Sequence, residues 1–267
     1  MKPRDMIVII DIGNTDSVIA LYPRRKRSVD LRLPNSSVPA GNDLWPHIDK
    51  FLRASRVAPG AIEGSAISSV VPRLTNVFSR VLKSRLGITP VVIDGSMDVG
   101  VKIRYDDPLA LGPDRICSAV AAFQHYGGPV IIVDCGTATT FDVVTAKGEF
   151  IGGAIAPGIR TAAEALAQRT ARLPKVRLQF PRQVIARNTV AAMQSGILYS
   201  SLDGIGGMVS RFKSIAGKNA KVVLTGGFAS LLASKSSFAH VVLPTLVLDG
   251  AYLIHQRLLD RTARRRS

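Results

Sequence analysis

Asp11 closes the apolar run at residues 7–10 and opens a short polar knot, Gly13, Asn14 and Thr15, before a second apolar run begins after Ser17. The arrangement returns in VIIVDCGTATTFDVV, where Asp134, Gly136 and Thr137 follow one apolar strand and precede another. Small residues in such a turn let backbone N–H groups and hydroxyls approach phosphate oxygens, which larger side chains prevent. A carboxylate repels phosphate unless a cation lies between them, and a hard ion such as Mg²⁺ takes carboxylate, water and phosphate oxygens together. The implied chemistry is a clamp for phosphate and metal, present twice, with the second copy (Asp134, Thr137, Thr139, Thr140) gripping the same phosphates as the first.

A single DxG turn is an ordinary hairpin device. Two copies nearly half the chain apart, followed by the apolar strand and glycine pair Thr225, Gly226 and Gly227, point to an internal duplication and to nucleotide binding. Other nucleotide signatures are absent. Gly217 and Lys218 lack the upstream glycine and the following hydroxyl of a P-loop, and there is no GxGxxG.

Periodicity supplies the elements that must position these residues. The first half reads as strands over 7–10 and 17–22, a basic loop, a helix near 44–56, a strand over 65–70, a helix over 74–86 and a strand over 91–93. Beyond RYDDPLALGPDR a helix is predicted over 114–126, with an acid at its start and Gly127 as its stop. The duplicated strands then begin at Val130, and GEFIGGAIAPG reads as a strand and a Gly/Pro-rich loop leading into a helix over about 160–172. A longer helix follows Asn188, whose side chain suits an N-cap. A strand feeds the glycine pair within 222–229, and a final helix includes 253–259. Both halves are α/β, so two similar domains with a cleft between them are expected.

Composition narrows the partners. The chain has 267 residues and 46% hydrophobic content, enough for one large domain or two smaller ones. Asp11 interrupts the first apolar run before a signal peptide's core is complete, and no segment reaches the roughly 20 apolar residues of a membrane helix, so a soluble, cytoplasmic protein without membrane contact is expected. Cys117 and Cys135 are the only cysteines and have no CxxC or histidine spacing around them, which argues for reduced, buried thiols rather than zinc or a disulfide. His47, His125, His240 and His255 are scattered and receive no catalytic role. Thirty-five Lys and Arg against 19 Asp and Glu give +16, which attracts any polyanion. The two basic clusters, Arg24 to Arg27 and Arg261 with Arg264 to Arg266, lack interleaved aromatics for stacking bases, so they read as a solvated loop and tail and nucleic acid is not the expected partner.

In their order and spacing, DIGNTDS, RYDDP followed by GPDR, VDCGTATTFDVV, GGAIAPG, NTVAAMQSG and LTGG resemble type III pantothenate kinase, from Ile7 to about Leu259. Each motif alone is weak, whereas the ordered set is highly specific. That family belongs to the acetate and sugar kinase, Hsp70 and actin superfamily, so the resemblance implies two ribonuclease H-like domains, 1–117 and 118–267, closing around ATP. It implies ATP-dependent phosphorylation of pantothenate to 4′-phosphopantothenate, the first step of coenzyme A biosynthesis.

By resemblance, Asp11, Ile12, Gly13, Asn14, Thr15, Asp16, Ser17 and Val18 form the first ATP phosphate loop, and Thr137 contacts ATP from the second copy. Asp134 matches the position of a monovalent cation, potassium with ammonium as the alternative, alongside Mg²⁺. Tyr105, Gly112, Pro113, Asp114, Arg115 and Thr189 match pantothenate-binding positions, with Asp114 as the proton acceptor. A homodimer is implied, with the pantothenate pocket near its interface and GGAIAPG in its wall. The residue chemistry agrees: a carboxylate can accept the alcohol proton, and a guanidinium can meet the substrate carboxylate or a phosphate.

The chain departs from the family pattern at three places. Pro113 stands where alanine is common, Cys135 where phenylalanine is common, and Asp16 where asparagine is frequent. Asp16 brings a second negative charge to the phosphate loop, which weakens ATP binding if it faces the nucleotide. Pro113 disfavours a helical conformation at Gly112. Two rival readings are a regulatory protein of the related Bvg accessory factor type, which keeps the fold without turnover, and a basic nucleic-acid-binding protein.

Overall fold

In the computed structural model, which describes residues 6–23, 30–38, 44–238 and 240–266 with side chains as far as residue 261, the apolar run around Asp11 is the strand β1 (Met6–Ile12). It lies in a sheet with β2 (Asp16–Tyr22), β3 (Leu31–Pro34), β4 (Ile62–Ser69) and β5 (Val91–Val92), in the order β3-β2-β1-β4-β5. Both β1–β2 and β2–β3 are antiparallel, whereas β1–β4 and β4–β5 are parallel. A strand buried on both faces has no polar side to declare, so β1 reads as a continuous apolar run.

Val8, Ile10 and Ile12 pack with Ile48, Phe51 and Leu52 of α1 (Trp45–Ala54) and with Leu74, Phe78 and Leu82 of α2 (Pro72–Leu86). The opposite face carries Ile7, Ile9 and Asp11, because alternate side chains of a strand share a face. On β4 their partners are Gly64, Ala66 and Ser68. These small residues leave room for a helix to approach closely. A Cβ at Gly64 would lie 2.7 Å from His255 Nε2, on α7 (Leu246–Arg266).

A short strand β6 (Lys102–Ile103) precedes α3 (Pro113–Tyr126). The strands β7 (Val130–Cys135), β8 (Ala138–Val144), β9 (Glu149–Pro157), β10 (Lys221–Thr225) and β11 (Val241–Val242) then repeat the pattern in the order β9-β8-β7-β10-β11. Again two antiparallel pairs lie on one side of the leading strand and two parallel pairs on the other. The duplication read from the two aspartates is therefore a duplication of sheet topology over these five strands, to which the second sheet adds a sixth strand at its β9 edge. Ile131, Val133 and Cys135 form a core with Leu202, Ile205 and Val209 of α5 (Thr189–Ala216), while α4 (Ile159–Arg169) and the short α6 (Ala229–Ala233) complete this unit. Asn188 caps α5 as expected: its Oδ1 accepts from the Ala191 N–H at 2.9 Å.

The chain divides into two compact units, Met1–Ala121 together with Leu246–Ser267, and Ala122–Thr245. The expected linear division is 1–117 and 118–267, and these units differ from it. The change of unit falls inside α3, and the final helix belongs with the first unit, because α7 packs on β1 and β4 and buries Leu246, Leu248, Ala251 and Ile254. Tyr22 donates a hydrogen bond to Asp249 and stacks on Tyr252 with ring centroids 4.8 Å apart, fastening the same helix to β2. Farther along, Arg257 reaches Asp98 at 3.1 Å, and Arg261 pairs with the same carboxylate. Arg261 is thus an ion-pair partner rather than part of a solvated tail, while the Arg24 to Arg27 cluster lies outside the described residues. Among the described residues, no helix is long and apolar enough to cross a membrane.

Ile254 is fully buried on α7. Ile254→Ala should lower the unfolding free energy by about 2–5 kcal/mol, measured by urea denaturation; a loss below about 1 kcal/mol would mean that α7 is not part of the folded core.

Candidate active site

Asp11 pairs with Val18 and Ile12 with Ser17 across the first hairpin, so the intervening loop is short. Its closure is a Gly13 N–H to Asp16 carbonyl bond of 3.0 Å. Asn35, which no motif singles out, then fixes the loop from outside. Its Nδ2 donates to the Gly13 carbonyl at 2.7 Å, its backbone N–H donates to the Thr15 carbonyl at 2.8 Å, and its Oδ1 accepts from Ser17 Oγ at 2.8 Å. Asn14 and Thr15 remain exposed on this rigid turn. Asp16 has its Oδ2 3.4 Å from Arg32 Nη1, so its charge is met by a cation of the neighbouring strand.

The Asp11 side chain turns toward Ser68, whose fully buried hydroxyl donates to Oδ1 at 3.2 Å. Burial, and next the negative charge of Asp114, push the Asp11 carboxyl from its ordinary 3.8 up to about 7, against the opposing pull of Ser68 and Arg32. Burial also raises Asp114, with the Arg115 backbone N–H and guanidinium acting in the other direction. Two acids therefore share one neighbourhood in the first unit, each disfavoured as an anion, a pattern that marks functional sites more often than structural ones.

The start of α3 explains the GPDR sequence. Pro113 is its first residue, where a fixed φ suits a helix and the missing N–H costs nothing. The Gly112 carbonyl accepts from Arg115 N at 3.1 Å and Ile116 N at 3.2 Å. Asp114 folds back so far that a Cβ on Gly112 would lie 2.5 Å from its Oδ1. Arg115 is 8% exposed, and its guanidinium carbon lies 5.7 Å from the Tyr105 ring centroid. Tyr105, Gly112, Pro113, Asp114 and Arg115 are thus brought together in the first unit, in electrostatic reach of Asp11.

In the second unit, Asp134 pairs with Thr140 and Cys135 with Thr139, leaving Gly136 and an exposed Thr137 at the turn. Gly226, at φ 89°, passes over the carboxylate so closely that a Cβ there would lie 2.2 Å from Asp134 Oδ1. Only glycine combines that dihedral with that approach. Thr225 and Asp134 are partners on parallel neighbouring strands, so the glycine pair and the hairpin share one sheet end. Thr189 stands elsewhere in this unit, in the first turn of α5, on an open groove of about 980 Å³ whose wall includes Arg169, Arg187, Met193 and Ser200.

Cys117 and Cys135 are buried free thiols; burial raises both, Cys135 to about 12 with help from Asp134, so neither is poised as a nucleophile. Burial lowers the pKa of His255. Among the described residues, no group of three or more His, Cys, Asp or Glu side chains converges on a metal position. A closed protein cage for a metal is therefore absent there, whereas one carboxylate completed by phosphate and water is the usual donor set for Mg²⁺.

The repeated sheet order, with a glycine hairpin closing the leading strand of each unit, defines a duplicated α/β fold. Two solved structures share the fold. An activator of 2-hydroxyisocaproyl-CoA dehydratase from Clostridium difficile with bound ADPNP matches with TM-score 0.54 and 13% identity, over 97% of each chain. A ROK family glucokinase from Streptomyces griseus in complex with glucose and AMPPNP matches with TM-score 0.52 and 11% identity, over 94% of this chain and 99% of its own. The chain belongs to the type III pantothenate kinase family, whose family model matches residues 7–211. A type III pantothenate kinase from Thermomicrobium roseum is 40% identical over 253 residues, which cover 95% of this chain and 98% of the relative.

The raised Asp11 carboxyl makes a pH prediction for the ligand-free protein. The folded state binds this proton more tightly than the unfolded state, so the resulting stability is present below pH 3.8 and is lost as pH rises toward about 7. Asp11→Asn should therefore gain thermal stability relative to the wild type across that interval. Parallel thermal midpoints from pH 4 to pH 8 test this, and a difference that does not change with pH would reject it.

Proposed function

We propose that this chain is an ATP-dependent pantothenate kinase that forms 4′-phosphopantothenate, the first step of coenzyme A biosynthesis. The observation that carries the reading is the pair Asp11 and Asp114: one carboxylate at a loop suited to phosphate, the other at a helix start beside Arg115 and Tyr105, with the charge of Asp114 adding to the cost of ionising Asp11.

In this reading the pantothenate alcohol lies against Asp114 while Arg115 and Tyr105 hold the polar remainder of the substrate, and Thr189 adds a hydroxyl contact. The alcohol oxygen forms a bond to the γ-phosphorus, the bond from that phosphorus to the ADP oxygen breaks, and the alcohol proton passes to an Asp114 carboxylate oxygen. The upward shift of Asp114 makes it a better acceptor than an exposed aspartate. Because the transition state is loose, its proton leaves late, and aligning the hydroxyl matters as much as removing the proton. The loop from Asp11 to Val18 offers backbone N–H groups and hydroxyls to the ATP phosphates, and Thr137 offers a further hydroxyl.

Asp11 would hold Mg²⁺, which supplies positive charge to the phosphate oxygens and relieves the cost of ionising the carboxyl. Asp134, a carboxylate under a glycine lid, would hold potassium or ammonium in the same sense. A homodimer accounts for Ile151 and Ile155 on β9, which are 42% and 65% exposed, by covering them with a second copy. We assign the enzyme to the cytoplasm.

ADP release with pantothenate and Mg·ATP, run with potassium, with sodium alone and without pantothenate, tests the reading. Pantothenate-dependent, potassium-stimulated turnover is expected; ADP release that ignores pantothenate would point to another acceptor. Asp114→Asn should lower kcat about 10²-fold or more with nucleotide binding intact, and near-normal turnover would remove Asp114 from the chemistry. Asp16→Asn should shift the KM for ATP less than about threefold, since Arg32 already offsets the exposed charge; a larger fall in KM would show that Asp16 faces the nucleotide.

A further inference from the structure

Thr137 is exposed, and an exposed hydroxyl serves a ligand well only if its backbone is held still. The structure shows how that is done. The Thr137 carbonyl accepts two hydrogen bonds from one short piece of chain: from Gly158 N at 3.2 Å and from Thr161 Oγ1 at 2.6 Å. The approach is at backbone distance, for a Cβ on Gly158 would lie 2.4 Å from the carbonyl oxygens of both Gly136 and Thr137. Between these two anchors, the Arg160 guanidinium lies 5.2 Å from the centroid of the Phe228 ring, and Phe228 N donates to the Cys135 carbonyl at 3.0 Å. The turn after β7, the first turn of α4 and the glycine pair after β10 are thereby tied into one assembly within the second unit.

We propose that Thr161 is a positioning residue for the second nucleotide loop: its hydroxyl holds the Thr137 peptide so that the Thr137 side chain and N–H meet the nucleotide's polyphosphate. This rests on the kinase reading given above. The shorter of the two bonds to the Thr137 carbonyl is the one a side chain supplies. Removing it takes away the shorter of these two bonds and loosens the hold on the peptide. Thr161 is itself exposed and contributes nothing to the core, so its loss acts on the loop rather than on the fold.

The test compares Thr161→Val, which keeps the shape and removes the hydroxyl, with Thr161→Ser, which keeps the hydroxyl, in the full chain. Thr161→Val should raise the KM for ATP about three- to tenfold, the worth of one hydrogen bond, with the KM for pantothenate and the thermal midpoint unchanged. Thr161→Ser should keep the wild-type KM. Equilibrium binding of a fluorescent ADP analogue, without pantothenate, should weaken by the same factor in Thr161→Val. Unchanged analogue binding in that variant would overturn the proposal, as would an equal loss in both variants accompanied by a lower thermal midpoint. The binding arm also separates the two claims: if the wild type binds the analogue but phosphorylates no pantothenate, the kinase reading fails while the Val and Ser comparison still decides the role of Thr161.

Discussion

A carboxylate at the end of a strand buried on both faces is the constraint on which the rest of the first unit depends. Ile7, Ile9 and Asp11 share a face, and the parallel register with β4 sets Gly64, Ala66 and Ser68 beside them. Any bulkier set on β4 would exclude α7 and leave Asp11 without its hydroxyl donor. Asp11 is thus held where its negative charge is costly, and the cost rises further because Asp114 is near. A protein that keeps two acids in such surroundings carries a standing preference for a cation or a proton at that spot. Phosphoryl transfer uses that preference, since charge neutralisation and alignment do most of what a protein can contribute to it.

The second unit uses the same topology for a different balance. Asp134 occupies the position equivalent to Asp11, and its carboxylate is covered by the Gly226 backbone. The loops also gain rigidity by different means. Asn35 makes three bonds around the first hairpin, whereas the second is held by Gly158 and Thr161 from a helix start. Duplication preserved the strand order and the turn, and the fastening of each turn arose from whatever chain happened to pass nearby. Such fastenings suit an enzyme in which a loop must present donors without shifting, because a misplacement of about 1 Å can cost about 10²-fold in rate.

Periodicity and motif order made much of this legible in advance. The apolar runs around Asp11 and Asp134, the Asn188 cap and the helix after GPDR all appear where local chemistry demands them. The candidate site residues of the first unit, Tyr105 and Gly112 to Arg115, also cohere in space, since the GPDR turn is a local structure that Gly112 and Pro113 specify between them. Asn35, Ser68 and Thr161 were not legible. Each is an ordinary small polar residue whose importance comes from a partner 22, 57 or 24 positions away, and no local pattern encodes such a distance.

The amino-acid sequence by itself determined the elements, the duplicated strand–turn–strand units and the residue types able to handle phosphate, because these depend on side-chain period and turn chemistry within a few residues. Tertiary structure alone decided that the last helix returns to the first unit and that Asp16 is paired with Arg32. It alone decided that burial and the charge of Asp114 together raise the proton affinity of Asp11. Those outcomes depend on burial and through-space charge, which exist only after distant segments have packed.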